Sequence, residues 1–133
     1  LAVARHDGYD ASHGIIHHRK LYLSTGGGNL RGSDHLEYTG APGEIARLAV
    51  VRFHLHPRVT AAMLSNQRVL IKIRGNRTGW VFRANATVSL DTSLFFDIEG
   101  RMNCQQIVVN LPLADIRSVG RVEAKWAFQR NDP

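Results

Sequence analysis

The stretch RLAVVRFHLHP, Arg47–Pro57, is the longest apolar run in the chain, and β-branched and aromatic residues dominate it. Its apolar and polar residues alternate with a period of two, which is typical of a strand with one buried and one exposed face. The apolar face comprises Val51, Phe53 and Leu55, and the polar face comprises Arg52, His54 and His56. Pro57 cannot donate to a strand ladder, so we expect the strand to end there.

Similar short extended segments recur along the 133 residues, separated by turns rich in Gly, Asn and Pro. No window shows a sustained helical period. About ten such segments therefore predict an all-β fold, an antiparallel two-sheet β-sandwich. Asp7-Gly8 predicts a turn, residues Gly26–Asn29 predict a hairpin turn, and Thr39–Glu44 (TGAPGE) predicts a loop. The predicted strands include Gly79–Ala84 and, as two separate segments, residues 87–90 and 93–99. The length fits a single domain over residues 1–133.

Positive charge is the main signal in the composition. The chain carries 17 Lys and Arg against 11 Asp and Glu, which gives a net charge of +6 and a pI near 10.2. Fourteen of the 17 cationic residues are Arg, whose planar fork matches carboxylate, sulfate and phosphate groups. This composition predicts a polyanionic partner. The alternative is that most of the arginines lie on solvated strand faces, because they are spread along the chain without a basic run.

A nucleic acid is not the expected polyanion, because the aromatic residues that could stack on bases read as core residues. They alternate in phase with apolar neighbours: Trp80, Phe82, Trp126 and Phe128. No apolar run reaches the length that spans a membrane, so no membrane partner is expected either. The single cysteine, Cys104, cannot form an internal disulfide, and a bacterial periplasmic or cytoplasmic location stays open.

Histidines are the densest candidate chemistry, and all seven lie within residues 6–56. His54 and His56 project to the same strand face and are the best candidates for metal ligands. Zinc, however, needs three or four converging ligands, and no local spacing supplies a third one. We therefore predict no metal site in this chain. No nucleophile motif or phosphate-binding loop is present, so no catalytic residue is assigned from the pattern.

An ordered series of segments resembles the heparinase II/III-like proteins, and the similarity covers nearly all 133 residues. The segments are HDGY (His6–Tyr9), HHRKLYL (His17–Leu23), LRGSD (Leu30–Asp34), RFHLHP (Arg52–Pro57), GWVF (Gly79–Phe82) and QIVV (Gln106–Val109). The resemblance implies a polysaccharide lyase with a helical toroid followed by a β-sandwich. Such enzymes cleave uronate-containing chains, such as heparin-like glycosaminoglycans or alginate, by β-elimination.

The chain resembles only the later part of that sandwich. The resemblance implies that the toroid carries most of the catalytic groups, and that the segments supplying zinc ligands in several members would precede Leu1. We therefore expect no cofactor in this chain, with zinc left open for the full-length parent, and no catalysis by the chain alone.

The resulting prediction is a sandwich domain that braces the catalytic toroid and contributes to a cleft for acidic polysaccharide. The predicted contact residues are Arg52, His54 and His56, with His17 and Arg19 behind them. The alternatives are a free-standing carbohydrate-binding or interaction domain, and a polar face that only pairs with upstream segments. Exposed apolar surface on such a sandwich would also favour a homo-oligomer.

Overall fold

The computed structural model describes residues 1–40 and 45–132. Residues 41–44 of the loop predicted at Thr39–Glu44 lie outside the described part. Two short helices, α1 (Asp10–His13) and α2 (Ile116–Val119), and a 3-10 turn at Ser65–Gln67 accompany ten strands. The strands are β1 (Ala2–Tyr9), β2 (Ile15–Leu23), β3 (Asn29–Tyr38), β4 (Leu48–His54), β5 (Val59–Met63), β6 (Val69–Ile73), β7 (Gly79–Ala84), β8 (Thr87–Asp97), β9 (Gly100–Pro112) and β10 (Arg121–Asn131).

The strands form two antiparallel sheets, so the predicted all-β, two-sheet sandwich is confirmed. The large sheet has seven strands in the order β1-β2-β3-β10-β7-β6-β5, and the small sheet has three in the order β4-β9-β8. The last strand of the chain, β10, lies in the middle of the large sheet. Every residue of the edge strand β1 is exposed, so the small sheet does not cover that end of the large one.

The core forms where the small sheet packs on the middle of the large sheet. Phe53 of β4 makes the central contact: its ring centroid lies 4.7 Å from that of Trp126 and 5.3 Å from that of Phe82. The alternation predicted for Arg47–Pro57 is confirmed, because Val51 is buried and Arg52 is exposed. This strand therefore joins the two sheets through one face and leaves its other face to solvent.

Two local predictions were wrong. Asp7-Gly8, expected to form a turn, lies within β1, where the pairing with β2 shifts register between His6 and Tyr9. The segments 87–90 and 93–99, expected to be separate strands, form the single strand β8. The polar pair between them, Asp91-Thr92, keeps its pairing with β9 because both side chains lie at an exposed strand surface.

Neither helix in the described part of the chain has the length and hydrophobicity needed to cross a membrane.

Candidate functional site

A buried carboxylate, Asp34, lies at the centre of the polar residues on the inner face of the large sheet. The residue is 0% exposed, and each of its carboxylate oxygens accepts two hydrogen bonds. Oδ1 accepts from His17 Nε2 at 2.7 Å and from Arg19 Nε at 2.6 Å. Oδ2 accepts from Trp126 Nε1 at 2.8 Å and from Arg19 Nη2 at 3.2 Å. These donors satisfy a charge that would otherwise be costly to bury.

Two opposing effects act on the pKa of Asp34. Burial alone would raise the pKa of the carboxyl, because the protein interior solvates the carboxylate poorly. The hydrogen bonds from Arg19, Trp126 and His17, together with the positive charge of Arg19, outweigh burial and lower the pKa from its ordinary value of 3.8. Asp34 is therefore an anion near neutral pH, and Arg19 is its counter-ion.

Strand register brings these groups together. Arg19 of β2 is the cross-strand partner of Asp34 on β3, so both side chains project to the same face. Trp126 of β10 pairs with Gly32, two residues before Asp34. A Cβ at position 32 would lie 2.2 Å from Cζ2 of the indole, so only glycine leaves room for this ring. Gly32 therefore allows the indole N–H to reach the carboxylate.

The hydrogen bonds of His17 continue outward to the edge strand β1. Since an ionised carboxylate can only accept, His17 Nε2 carries the proton toward Asp34, and its Nδ1 is left as an acceptor. His6 Nε2 then donates to His17 Nδ1 at 3.0 Å, while the Gly8 backbone N–H donates to His6 Nδ1 at 3.2 Å. In each of these hydrogen bonds, from Gly8 through His6 and His17, the acceptor lies on the side nearer to Asp34. Both imidazoles therefore lack a free acceptor nitrogen and serve as positioning groups.

A cleft of about 340 Å³ opens between this cluster and the edge strand β4. Its polar lining comes from Tyr9, His13, His17, Arg19, Asp34 and Arg52. Its apolar lining includes Leu48, Val50, Leu111 and Leu113. Among these lining residues Asp34 is the only carboxylate, and both of its oxygens are already occupied. The cleft is therefore a cationic site with hydrogen-bond donors to spare.

The structure divides the five predicted contact residues between two surfaces. His17, Arg19 and Arg52 line the cleft. His54 and His56 lie on the outer face of the small sheet, where His54 Nδ1 is 2.6 Å from Ser93 Oγ. His56 Nδ1 accepts the backbone N–H of Arg58 at 3.1 Å. Arg52 connects the two surfaces, since its Nη1 donates to Gln106 Oε1 at 3.2 Å on that outer face.

A metal site in a protein needs three or more side-chain ligands that converge on one point. Residues 1–40 and 45–132 contain no such group of His, Cys, Asp or Glu side chains. His54 and His56, the candidate ligands from the sequence, instead contact Ser93 and the Phe95 ring, respectively. Their placement supplies no third ligand.

Sequence reasoning missed Asp34 as the organising residue, together with the roles of His6 and Trp126. A usable signal was present, because Asp34 has the same strand parity as Leu30 and Leu36, which face inward. A carboxylate at an inward position requires buried donors. The pairing of β2 with β3 places Arg19 opposite it, although the partner on β10 is 92 residues away along the chain.

Comparison with known families agrees with this architecture. The family model described as heparinase II/III-like, C-terminal, matches residues 1–126. No curated protein shows a significant sequence match to the chain. Because the family match covers nearly the whole chain, the protein belongs to the heparinase II/III-like C-terminal domain family.

Proposed function

We propose that this protein is the accessory β-sandwich of a heparinase II/III-like polysaccharide lyase and that its cleft contacts acidic polysaccharide. The family is that of a domain associated with polysaccharide lyases. The observation that carries the proposal is the cleft itself: Arg52, Arg19 and His17 all line it, and Asp34, the one carboxylate among its described lining residues, is already neutralised. Such a site favours an anionic ligand.

The guanidinium groups keep the donors that an acidic sugar requires. Arg52 uses one nitrogen on Gln106, and Arg19 uses Nε and Nη2 on Asp34. Nη1 of Arg19 and most of the fork of Arg52 are left for a carboxylate or sulfate group. The half-exposed Tyr9 adds a phenolic hydroxyl at the edge of the cleft.

In the parent reaction, β-elimination removes the proton next to a uronate carboxylate and expels the group on the neighbouring oxygen. Neutralising that carboxylate makes the proton more acidic, and positioned cationic donors supply this effect. We assign this supporting role to Arg52 and Arg19. The imidazoles of His6 and His17 hold Asp34 and Arg19 in place, since their acceptor nitrogens are occupied. The base and acid would come from the helical toroid.

We also propose that the exposed edge of the small sheet contacts that toroid. The edge strand β4 presents Leu48 and Val50 to solvent, with 48% and 39% of their surfaces exposed. Apolar residues clustered at a strand edge are typical of a surface that another segment covers. This contact would set the cleft against the catalytic groups of the toroid.

Calorimetric titration of heparin and alginate oligosaccharides into the Arg52→Ala variant tests the cleft. The matched control is Arg101→Ala, which removes the same charge from an exposed position on the small sheet. We expect Arg52→Ala to weaken binding by about tenfold, corresponding to about 1.4 kcal/mol, and the control to bind like wild type. Equal affinity of the two variants would contradict the proposal.

Absorbance of the unsaturated product tests the division of labour. We expect the chain alone to bind polysaccharide without producing this absorbance. Its formation by the chain alone would overturn the accessory role. The alternative is a free-standing carbohydrate-binding domain. It predicts that a separately produced toroid of the parent enzyme does not bind this chain, and that adding the chain does not change the rate at which the toroid cleaves polysaccharide.

A further inference from the structure

Four cationic side chains lie together on the outer face of the large sheet, opposite the face that carries Asp34. Each belongs to a different one of four adjacent strands: Lys20 of β2, Arg31 of β3, Lys125 of β10 and Arg83 of β7. All four residues are exposed. They line a shallow depression of about 640 Å³, which we call the basic groove.

The register of the strands explains the shape of the basic groove. Ser33 pairs with both Lys20 and Lys125, so a small side chain separates two cations in one row. In the neighbouring row, Ala127 pairs with both Arg31 and Arg83. The two cations of each row are therefore two strand spacings, roughly 10 Å, apart, and the residue between them has a small side chain. An extended chain running across the strands could contact both rows.

The four cations of the basic groove have no ion-pair partners within the described residues. Glu123, the one carboxylate among the described residues that line the groove, pairs instead with Arg121, whose Nη2 lies 3.5 Å from Glu123 Oε2. Four like charges on adjacent strands repel one another, and a bound polyanion would relieve that repulsion.

We propose that the basic groove is a second binding site for a linear acidic polysaccharide, separate from the cleft. The ligand class rests on the proposed function, whereas the site rests on the four cations and their spacing. A polysaccharide bound to both the cleft and the basic groove would contact both faces of the large sheet. The groove would then hold a long substrate without taking part in its chemistry.

The aromatic residues of the groove favour a polysaccharide over a single-stranded nucleic acid. Binding of unpaired bases relies on exposed aromatic faces on which the bases stack. The Arg31 guanidinium already covers the Tyr22 ring, with Cζ 4.7 Å from the ring centroid. The indole of Trp126 is buried and hydrogen-bonded to Asp34 on the opposite face. The groove thus offers charge without a free stacking surface.

The test is the double variant Arg31→Ala/Arg83→Ala, compared with Arg77→Ala/Arg101→Ala, which removes two exposed arginines elsewhere. Heparin and alginate oligosaccharides are titrated into each by calorimetry, and amide chemical shifts map the site. We expect the groove variant to bind about tenfold more weakly than the control variant. We also expect heparin-induced shifts in wild type at the amides of Arg31, Arg83 and Lys125.

The outcomes separate this inference from the proposed function. Equal affinity of the two double variants, with heparin-induced shifts confined to residues of the cleft, overturns the groove and leaves the cleft intact. Shifts confined to the groove support the inference and contradict the cleft. Preferential binding of single-stranded DNA over heparin, lost in the groove variant, overturns the polysaccharide as its ligand.

Discussion

All four atoms that approach the Asp34 carboxylate are hydrogen-bond donors: His17 Nε2, Arg19 Nε, Arg19 Nη2 and Trp126 Nε1. An amide in the same place would turn its own NH₂ group toward two of these donors in either orientation. Asp34→Asn would also leave Arg19 without its counter-ion. We therefore expect the variant to lose about 3 kcal/mol of unfolding free energy, measured by urea denaturation.

A matched control for this substitution is Glu37→Gln on the same strand. Its carboxylate is more than half exposed and accepts one hydrogen bond, from His18 Nε2 at 2.9 Å. Because water can replace that partner, we expect a change within about 0.5 kcal/mol. A similar loss in both variants would show that the buried donors around Asp34 do not stabilise the fold beyond an ordinary surface contact.

The lowered pKa of Asp34 also predicts how stability depends on pH. The carboxyl binds its proton less readily in the folded state than in the unfolded chain, where its pKa is near 3.8. Its contribution is therefore complete above that value and is lost as the pH falls through the lower, folded-state pKa. The difference in unfolding free energy between wild type and Asp34→Asn should therefore shrink over the acid range below about pH 3.8. A difference that stays constant over this range would mean that Asp34 has an unshifted pKa.

The candidate site was only partly predictable from sequence. Alternation within one strand identifies Arg52 as a polar, outward residue, because period-two patterning is local. It cannot show that Arg52 reaches the cleft while His54 and His56 do not, since this depends on which sheet lies opposite β4. The charge pairing of Arg19 with Asp34 likewise becomes visible only once the register of β2 and β3 is known.

The pairing of β3 with β10 depends on a glycine where the indole of Trp126 crosses the strand. Replacing Gly32 with Ala would place the new Cβ 2.2 Å from Cζ2 and 2.5 Å from Cη2 of Trp126. The ring must move, and its N–H bond to Asp34 would lengthen or break. We expect Gly32→Ala to lower the unfolding free energy by about 3 kcal/mol in urea denaturation.

Gly28→Ala provides the control, because it makes the same chemical change in the hairpin between β2 and β3. A Cβ at position 28 would meet nothing within 4 Å. We expect this variant to keep the stability of wild type within about 0.5 kcal/mol. If Gly32→Ala were equally harmless, the close contact between Trp126 and β3 would have to be relieved by a small shift of the backbone.

Most strands could be predicted because their signals are local. Gly79–Ala84 forms β7 with the predicted bounds, and the turn at Gly26–Asn29 connects β2 to β3 as expected. The errors arose where a turn-forming pair, Asp7-Gly8, and a polar pair, Asp91-Thr92, occur within strands. The order of strands in the sheets could not be predicted, because β3 and β10 pair across about 90 residues and no local pattern specifies that partner.

The central position of β10 makes the whole large sheet depend on the last residues of the chain. β10 joins β3 through Arg121–Gln129 and β7 through Trp126–Asn131. A chain that ends at Trp126, where the family match ends, would keep most of the first pairing and lose nearly all of the second. The group β7-β6-β5 would then be detached from the remainder of its sheet.

Truncation after Trp126 should therefore destabilise the protein far more than the small number of removed residues suggests. It removes Phe128, whose ring centroid lies 4.8 Å from that of Phe82 and 5.4 Å from that of Phe53 between the two sheets. Loss of such an aromatic residue alone costs about 3–5 kcal/mol, and the lost strand pairing adds to it. We expect amide spectra with collapsed dispersion and no cooperative unfolding transition in urea.

Truncation after Asn131 is the control and should unfold like wild type, since β10 keeps all of its strand pairs. Cooperative unfolding of the shorter chain at the wild-type midpoint would show that the two halves of the large sheet do not depend on β10 for their connection.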